Sequence, residues 1–244
     1  MLLKVSNREA VVRKEQEGEW QASTLWKILE PRKSSPVAVV GAGGKSALLA
    51  AAAAEARRQG STLFLSVTTR LALPQTEMAD RTIYLAEAPG GAPGEAPLKG
   101  LAPRDGEVVL LASRLLEEVR KIEGVPPETL ASLAAAGSYT PLILEADGAA
   151  GADLKVPGPG EPVIPDITST VVAVTGLPAL GADIGKARVH RREMLENLFP
   201  GERRLSPSLL AALLSHPEGS FKGAPVAARK IWLINKADRP REMA

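Results

Sequence analysis

The stretch Val37-Ala38-Val39-Val40-Gly41-Ala42-Gly43-Gly44-Lys45-Ser46 constrains the fold more than any other part of the chain. Its β-branched, apolar start predicts a buried strand. The glycines predict a tight turn. Ser46 to Gln59 is rich in Ala and Leu, places Arg57 and Arg58 in its last turn and stops at Gly60, which predicts a helix. Thr62 to Val67 reads as the next strand. Strand, turn, helix and strand make a βαβ unit, whose two strands run parallel.

The alternation continues along the chain. Thr82–Leu85, Val108–Leu111, Leu142–Glu145, Val171–Thr175 and Ile231–Ile234 read as strands. Ala112–Ile122, Pro127–Ala136, Val189–Leu198 and Pro207–Leu214 read as helices. Ala88–Gly106 is rich in Pro and Gly and reads as an irregular surface loop. The expected fold class is α/β: a mostly parallel open sheet with flanking helices, a P-loop NTPase-like three-layer α/β/α arrangement. Residues 1–30 are expected to form an N-terminal extension, with short strands at Leu2–Val5 and Ala10–Val12 and a helical turn at Leu25–Leu29. Residues 31–244 are expected to form the nucleotide-binding domain.

A polyphosphate needs many donors at short range. Glycines let backbone N–H groups curl around it, and the next helix contributes its N-terminal amides and dipole. A lysine neutralises the outer phosphates and a neighbouring Ser or Thr ligates magnesium. Gly41, Ala42, Gly43, Gly44, Lys45 and Ser46 supply this set. The usual phosphate-loop pattern has one more glycine, at a position held here by Val39, so the loop is expected to be shorter or differently shaped. A plain strand-to-helix turn is the structural alternative. Gly41-x-Gly43 also begins a dinucleotide fingerprint, but its third glycine is Ser46 and Ser66–Arg70 has no acid for a ribose, which disfavours NAD and FAD.

Ligands of open parallel sheets sit beyond the carboxyl ends of the strands. Other polar motifs fall at such ends. Leu142–Glu145 leads into Ala146-Asp147-Gly148; Glu145 and Asp147 are candidates to hold magnesium or position a water, Asp147 first. An ion pair for Glu145 and a turn cap for Asp147 are the bland alternatives. Thr68 and Thr69 could touch phosphate or metal-bound water, although threonine is common in strands for its own sake. Asn235-Lys236-Ala237-Asp238 matches the guanine-recognition pattern of GTPases, or is a plain turn after a strand. The chain ends six residues later, before the further helix and strand that usually complete a base pocket.

Composition removes several classes. There are no cysteines, which excludes disulfides, thiolate nucleophiles and Cys-based metal sites. His190 and His216 are too far apart in sequence to suggest a zinc site. Aromatic residues are only 3%, which leaves little for base stacking, and the net charge of +2 has no dense basic run. Nucleic acid is therefore not an expected partner. Neither is a membrane, because no apolar run reaches spanning length and the start lacks a signal-peptide segment. The expected location is the cytoplasm.

One ordered set of motifs goes further: Val40-Gly41-Ala42-Gly43-Gly44-Lys45-Ser46, Thr68-Thr69, Glu145-Ala146-Asp147-Gly148-Ala149, Leu154-Lys155-Val156-Pro157, Glu161-Pro162-Val163-Ile164-Pro165, His190-Arg191 and Asn235-Lys236-Ala237-Asp238. Over roughly residues 25–240 the chain resembles the selenium-dependent hydroxylase accessory proteins, the YqeC-like family. Ser46 stands where that family more usually has Thr. The resemblance implies a nucleotide-binding accessory protein, using Mg2+ with GTP or ATP, that serves the maturation of selenium-dependent molybdenum hydroxylases. A molybdenum hydroxylase or its maturation machinery is then the expected partner, and a homodimer is one arrangement open to the chain. It also marks Lys155 and Glu161 as family positions that either contact substrate or phosphate, or pair with each other; His190 and Arg191 join them as candidate substrate residues. Lys45, Asp147 and Glu145 are the candidate catalytic set, with Ser46 and Asp147 on the metal. NTP hydrolysis or nucleotide-driven switching is the leading reading. A kinase or nucleotidyl transferase acting on a small molecule or cofactor precursor, and a non-enzymatic scaffold or chaperone, are the alternatives.

Overall fold

A computed structural model describes the backbone of residues 2–5, 10–13 and 20–22 and the whole of residues 23–31, 35–87, 103–135 and 141–237. Its strands are β1 (Leu2–Val5), β2 (Ala10–Arg13), β3 (Trp20–Ser23), β4 (Val37–Gly41), β5 (Leu63–Val67), β6 (Arg70–Ala72), β7 (Arg81–Tyr84), β8 (Val108–Ala112), β9 (Arg114–Leu116), β10 (Lys121–Glu123), β11 (Leu142–Glu145), β12 (Leu154–Lys155), β13 (Thr170–Gly176), β14 (Val189–His190) and β15 (Arg229–Asn235). Its α-helices are α1 (Leu25–Leu29), α2 (Lys45–Arg58), α3 (Pro127–Ala135), α4 (Arg192–Leu198) and α5 (Pro207–Ser215).

The main sheet has the order β3-β2-β1-β15-β13-β4-β11-β5-β8-β7. From β1 to β7 every neighbouring pair is parallel; β2 alone runs against the rest, pairing antiparallel with β1 and β3 at one edge. The mostly parallel α/β sheet expected from the sequence is thus what the chain forms. Residues on successive positions of a strand face opposite sides. Val37, Val39, Leu63, Leu65, Ile143, Val172 and Val174 pack with Leu48, Leu49 and Ala52 of α2 and with Leu25 and Ile28 of α1. Ala38, Val40, Phe64, Leu142, Leu144, Val171 and Ala173 pack on the other side with Leu130 and Leu133 of α3. Burial on both faces explains why these strands read as unbroken apolar runs.

A smaller core sits beside the sheet. Leu154 and Val156 pack with Leu195 of α4 and Leu209, Leu210 and Leu213 of α5. Its short parallel pair β12–β14 sets Lys155 opposite His190. Among the described residues, no helix is long and apolar enough to cross a membrane.

Two sequence expectations are corrected. Ala112–Ile122 is not a helix: it ends β8, then forms β9, a 3-10 turn and β10, and β10 pairs with both β9 and β6. Its charged, Leu-rich composition suits a helix, but Ile122 and Leu71 are buried in the main core and win over propensity. Arg120, in the left-handed region at φ 50, closes the turn. Val189–Leu198 is likewise broken: Val189 and His190 are a strand, Arg191 has φ 61, and only Arg192–Leu198 is helical. Most of the predicted loop at 88–106 lies outside the described residues, as does Ala136.

The turn at Arg120 gives a direct test of the hairpin. Glycine adopts the left-handed conformation without the cost that other residues bear. Arg120→Gly is therefore expected to leave stability unchanged or raise it, measured by urea unfolding. A loss of about 1 kcal/mol, the cost of glycine in a helix interior, would speak for the helix instead.

Candidate functional site

The carboxyl ends of β4, β5, β11, β13 and β15 meet at one edge of the sheet, and the polar strand-end motifs meet there with them. The glycine loop lies at the centre. Gly41, Gly43 and Gly44 all have positive φ, at 88, 88 and 132. A Cβ on Gly43 would overlap the backbone of Gly176 at the end of β13, and one on Gly44 would overlap the side-chain amide of Asn235. Glycine is needed here for close approach as well as for conformation. Gly44 caps α2 without a side-chain hydrogen bond, and the first turn of α2 has no acid. The first-turn amides and the positive end of the helix dipole are thus left uncompensated by the chain's own cap.

Lys45 is buried, with its ammonium folded back over the loop. Nζ donates to the Gly41 carbonyl at 2.7 Å and lies 3.2 Å from Asp147 Oδ1 and 3.4 Å from Glu145 Oε1. Both predicted carboxylates therefore converge on the predicted lysine. Asp147 is fully buried and its Oδ2 accepts the Gly41 N–H at 3.1 Å. Its Oδ1 has no hydrogen-bond donor, so the approach of Lys45 is Coulombic. Glu145 Oε2 accepts from Ser46 Oγ at 3.2 Å, and Ser46 Oγ accepts from Gln75 Nε2 at 2.8 Å. Burial pushes the Glu145 carboxyl above its ordinary value, with the Asp147 charge adding to that push and Lys45 and Ser46 opposing it.

A second group of charges continues outward from Asp147. Lys155 Nζ, its side chain wholly buried, lies 3.1 Å from Asp147 Oδ2 and 2.6 Å from Glu161 Oε2, and donates to the Gly148 carbonyl at 2.5 Å. Arg191 grips Glu161 with two nitrogens, at 2.5 and 3.1 Å. Lys155 and Glu161 are thus paired with each other. The Arg191 hydrogen bonds, helped by Lys155 and opposed by burial, hold the Glu161 carboxyl down to about 2. His190 is pushed below its ordinary value, first by burial and then by Lys155 and Arg191.

Other candidates take roles the sequence did not assign. Thr68 Oγ1 donates to the Val163 carbonyl at 2.8 Å, fastening the segment after Glu161 across the end of β5. Thr69 Oγ1 is buried with no hydrogen-bond partner. Asn235 Nδ2 donates to the Gly43 carbonyl at 3.0 Å and so holds the glycine loop. Lys236 forms an ion pair with Asp153. Asp238, the acid of the base-recognition pattern, lies outside the described residues. Asp153 and Gln75 were not singled out by sequence. Gln75 sits in a stretch with no local motif and Asp153 just before Leu154-Lys155-Val156-Pro157, and only folding brings them to the loop.

Magnesium prefers oxygen ligands and commonly takes one or two carboxylates together with substrate phosphates. Among the described residues there is no cluster of three or more His or acidic side chains that would hold an ion alone. Ser46 Oγ, Glu145 and the donor-less Asp147 Oδ1 fit an ion whose remaining ligands come from phosphates and water.

Two expected outcomes follow from this geometry. Gly44→Ala should lower stability by about 1–3 kcal/mol, as a strained left-handed residue does, and adding Asn235→Ala should return part of the loss by removing the overlap; chemical unfolding of both variants measures it. For Glu161, a depressed folded-state value contributes stability that is present above its ordinary value of 4.5 and is lost as pH falls through about 2. The stability gap between wild type and Glu161→Gln should therefore be largest above 4.5 and shrink toward about 2. A gap that stays constant across that window in urea unfolding would contradict the assignment.

Comparison with known sequences adds one family. The sequence pattern of the family described as YqeC protein matches residues 37–193, which hold the glycine loop, both carboxylates, Lys155, Glu161 and Arg191. The Uncharacterized protein YqeC of Escherichia coli (strain K12) is 28% identical over 207 residues, covering 84% of this chain and 77% of that protein. No solved structure matches the chain.

Proposed function

The chain belongs to the YqeC family, and from that premise we propose that it binds a Mg2+–nucleotide, GTP or ATP, with the phosphates on residues 41–46. One observation supports this most: a buried lysine, a serine and two carboxylates are gathered on a glycine turn at a helix N-terminus whose cap residue makes no side-chain hydrogen bond. That is the donor and ligand set a polyphosphate and its cation require.

In this reading the Lys45 ammonium leaves its two carboxylates for the outer phosphates, and the loop amides and α2 dipole neutralise the rest. Bound magnesium would supply charge stabilisation on the transferring phosphoryl group. Ser46 and Asp147 would hold it, with Glu145 positioned by Ser46 to orient a water. The chemistry proposed is NTP hydrolysis or nucleotide-driven switching. The resemblance to the selenium-dependent hydroxylase accessory proteins supports a cytoplasmic role in maturing molybdenum hydroxylases, with such an enzyme or its maturation machinery as partner. Asn235 acts first as a brace for the loop, so base preference is an outcome of measurement.

Isothermal titration of Mg–GTP and Mg–ATP, separately, into wild type and Lys45→Ala tests the proposal. Losing a charged hydrogen-bond donor costs about 1.5–3 kcal/mol, so Lys45→Ala should bind at least about tenfold more weakly. If neither nucleotide binds wild type at millimolar concentration, or the variant binds equally well, the glycine loop is a turn and the proposal falls.

A further inference from the structure

The charges at this edge form a ladder of alternating sign that runs from the glycine loop to the surface: Lys45, Asp147, Lys155, Glu161, Arg191. Only its outer end meets solvent, with the Glu161 side chain 23% and the Arg191 side chain 27% exposed. Lys155 is the unusual member. A buried ammonium is costly unless its donors are used. Lys155 donates to the Gly148 carbonyl and is ion-paired with Asp147 Oδ2 and Glu161 Oε2. What it does is fix Asp147. Lys155 and the Gly41 N–H both take the Oδ2 side of that carboxylate, which turns Oδ1, the oxygen without a hydrogen-bond donor, toward Lys45 and the loop.

We propose that Lys155 is a positioning residue for the phosphate loop: it orients Asp147 so that Oδ1 faces the cation of a bound nucleotide, and Glu161 and Arg191 hold Lys155 in place. The assignment rests on the proposed binding of Mg–nucleotide at residues 41–46. It replaces the substrate-contact option for Lys155 with an indirect one. Removing a partner that orients a metal-binding carboxylate typically costs about 10–100-fold in metal affinity.

The test compares nucleotide affinity in Mg2+ and in EDTA, by titration of ATP and GTP into wild type, Lys155→Met, Asp147→Asn and the double variant. Wild type must first bind with an Mg2+-dependent gain; absence of any binding removes the proposed function itself, and this inference with it. Given that gain, Lys155→Met is expected to narrow it by about tenfold or more, with affinity in EDTA little changed. The double variant should lose no more than Asp147→Asn alone, because Lys155 acts through Asp147. A merely structural lysine would lower both affinities together, or neither. A folded Lys155→Met protein that keeps the full Mg2+-dependent gain overturns the proposal, and so does an additive double variant. If Lys155→Met does not fold, Glu161→Gln decides. It weakens the outer hold on Lys155, so a narrowed gain supports the proposal and an unchanged gain overturns it.

Discussion

Asp147 ties the site together. One buried carboxylate receives the first amide of the glycine loop and Lys155 on one oxygen, and faces the loop lysine with the other. A buried charge is tolerated only when it is paired and hydrogen-bonded. Asp147 meets that condition with partners from two separate parts of the chain, the glycine loop and Lys155.

The sheet makes this convergence possible. β4 and β11 are neighbours, so the loop after one and the acids after the other emerge side by side. β13 and β15 bring Gly176 and Asn235 against the loop from the far side. The small β12–β14 pair carries Lys155 and sets it beside His190, with Arg191 next in the chain. Thr68 pins the Glu161–Ile164 segment over the same edge through the Val163 carbonyl. The three cations Lys45, Lys155 and Arg191 are matched by the acids Glu145, Asp147 and Glu161.

The same ion pairs give several of the sequence candidates a partner within the chain. Arg191 and Lys155 look like ligands for an anion when read as isolated cations. In the fold their anion is Glu161. Lys236 looks like the lysine of a base-recognition motif, and in the fold it is paired with Asp153. A charged residue's role depends on which opposite charge lies within reach, and that is a property of tertiary structure.

Sequence alone determined the parallel α/β architecture, the strand–turn–helix at residues 37–58 and the identity of Lys45, Ser46, Glu145 and Asp147 as the polar set at strand ends. These are legible because they rest on local periodicity, on glycine's conformational freedom and on the rule that polar residues ending buried strands line a common edge. Sequence did not determine the hairpin at 114–123, where burial of Ile122 overrides helical propensity. Nor did it determine the break at Arg191, the loop brace by Asn235, or the parts played by Asp153 and Gln75. Those depend on contacts between residues far apart in the chain, such as Asn235 with Gly43 and Lys155 with Asp147 and Glu161. Tertiary structure decided them, because only the packed sheet fixes which strand ends are neighbours and so which buried charges must neutralise each other.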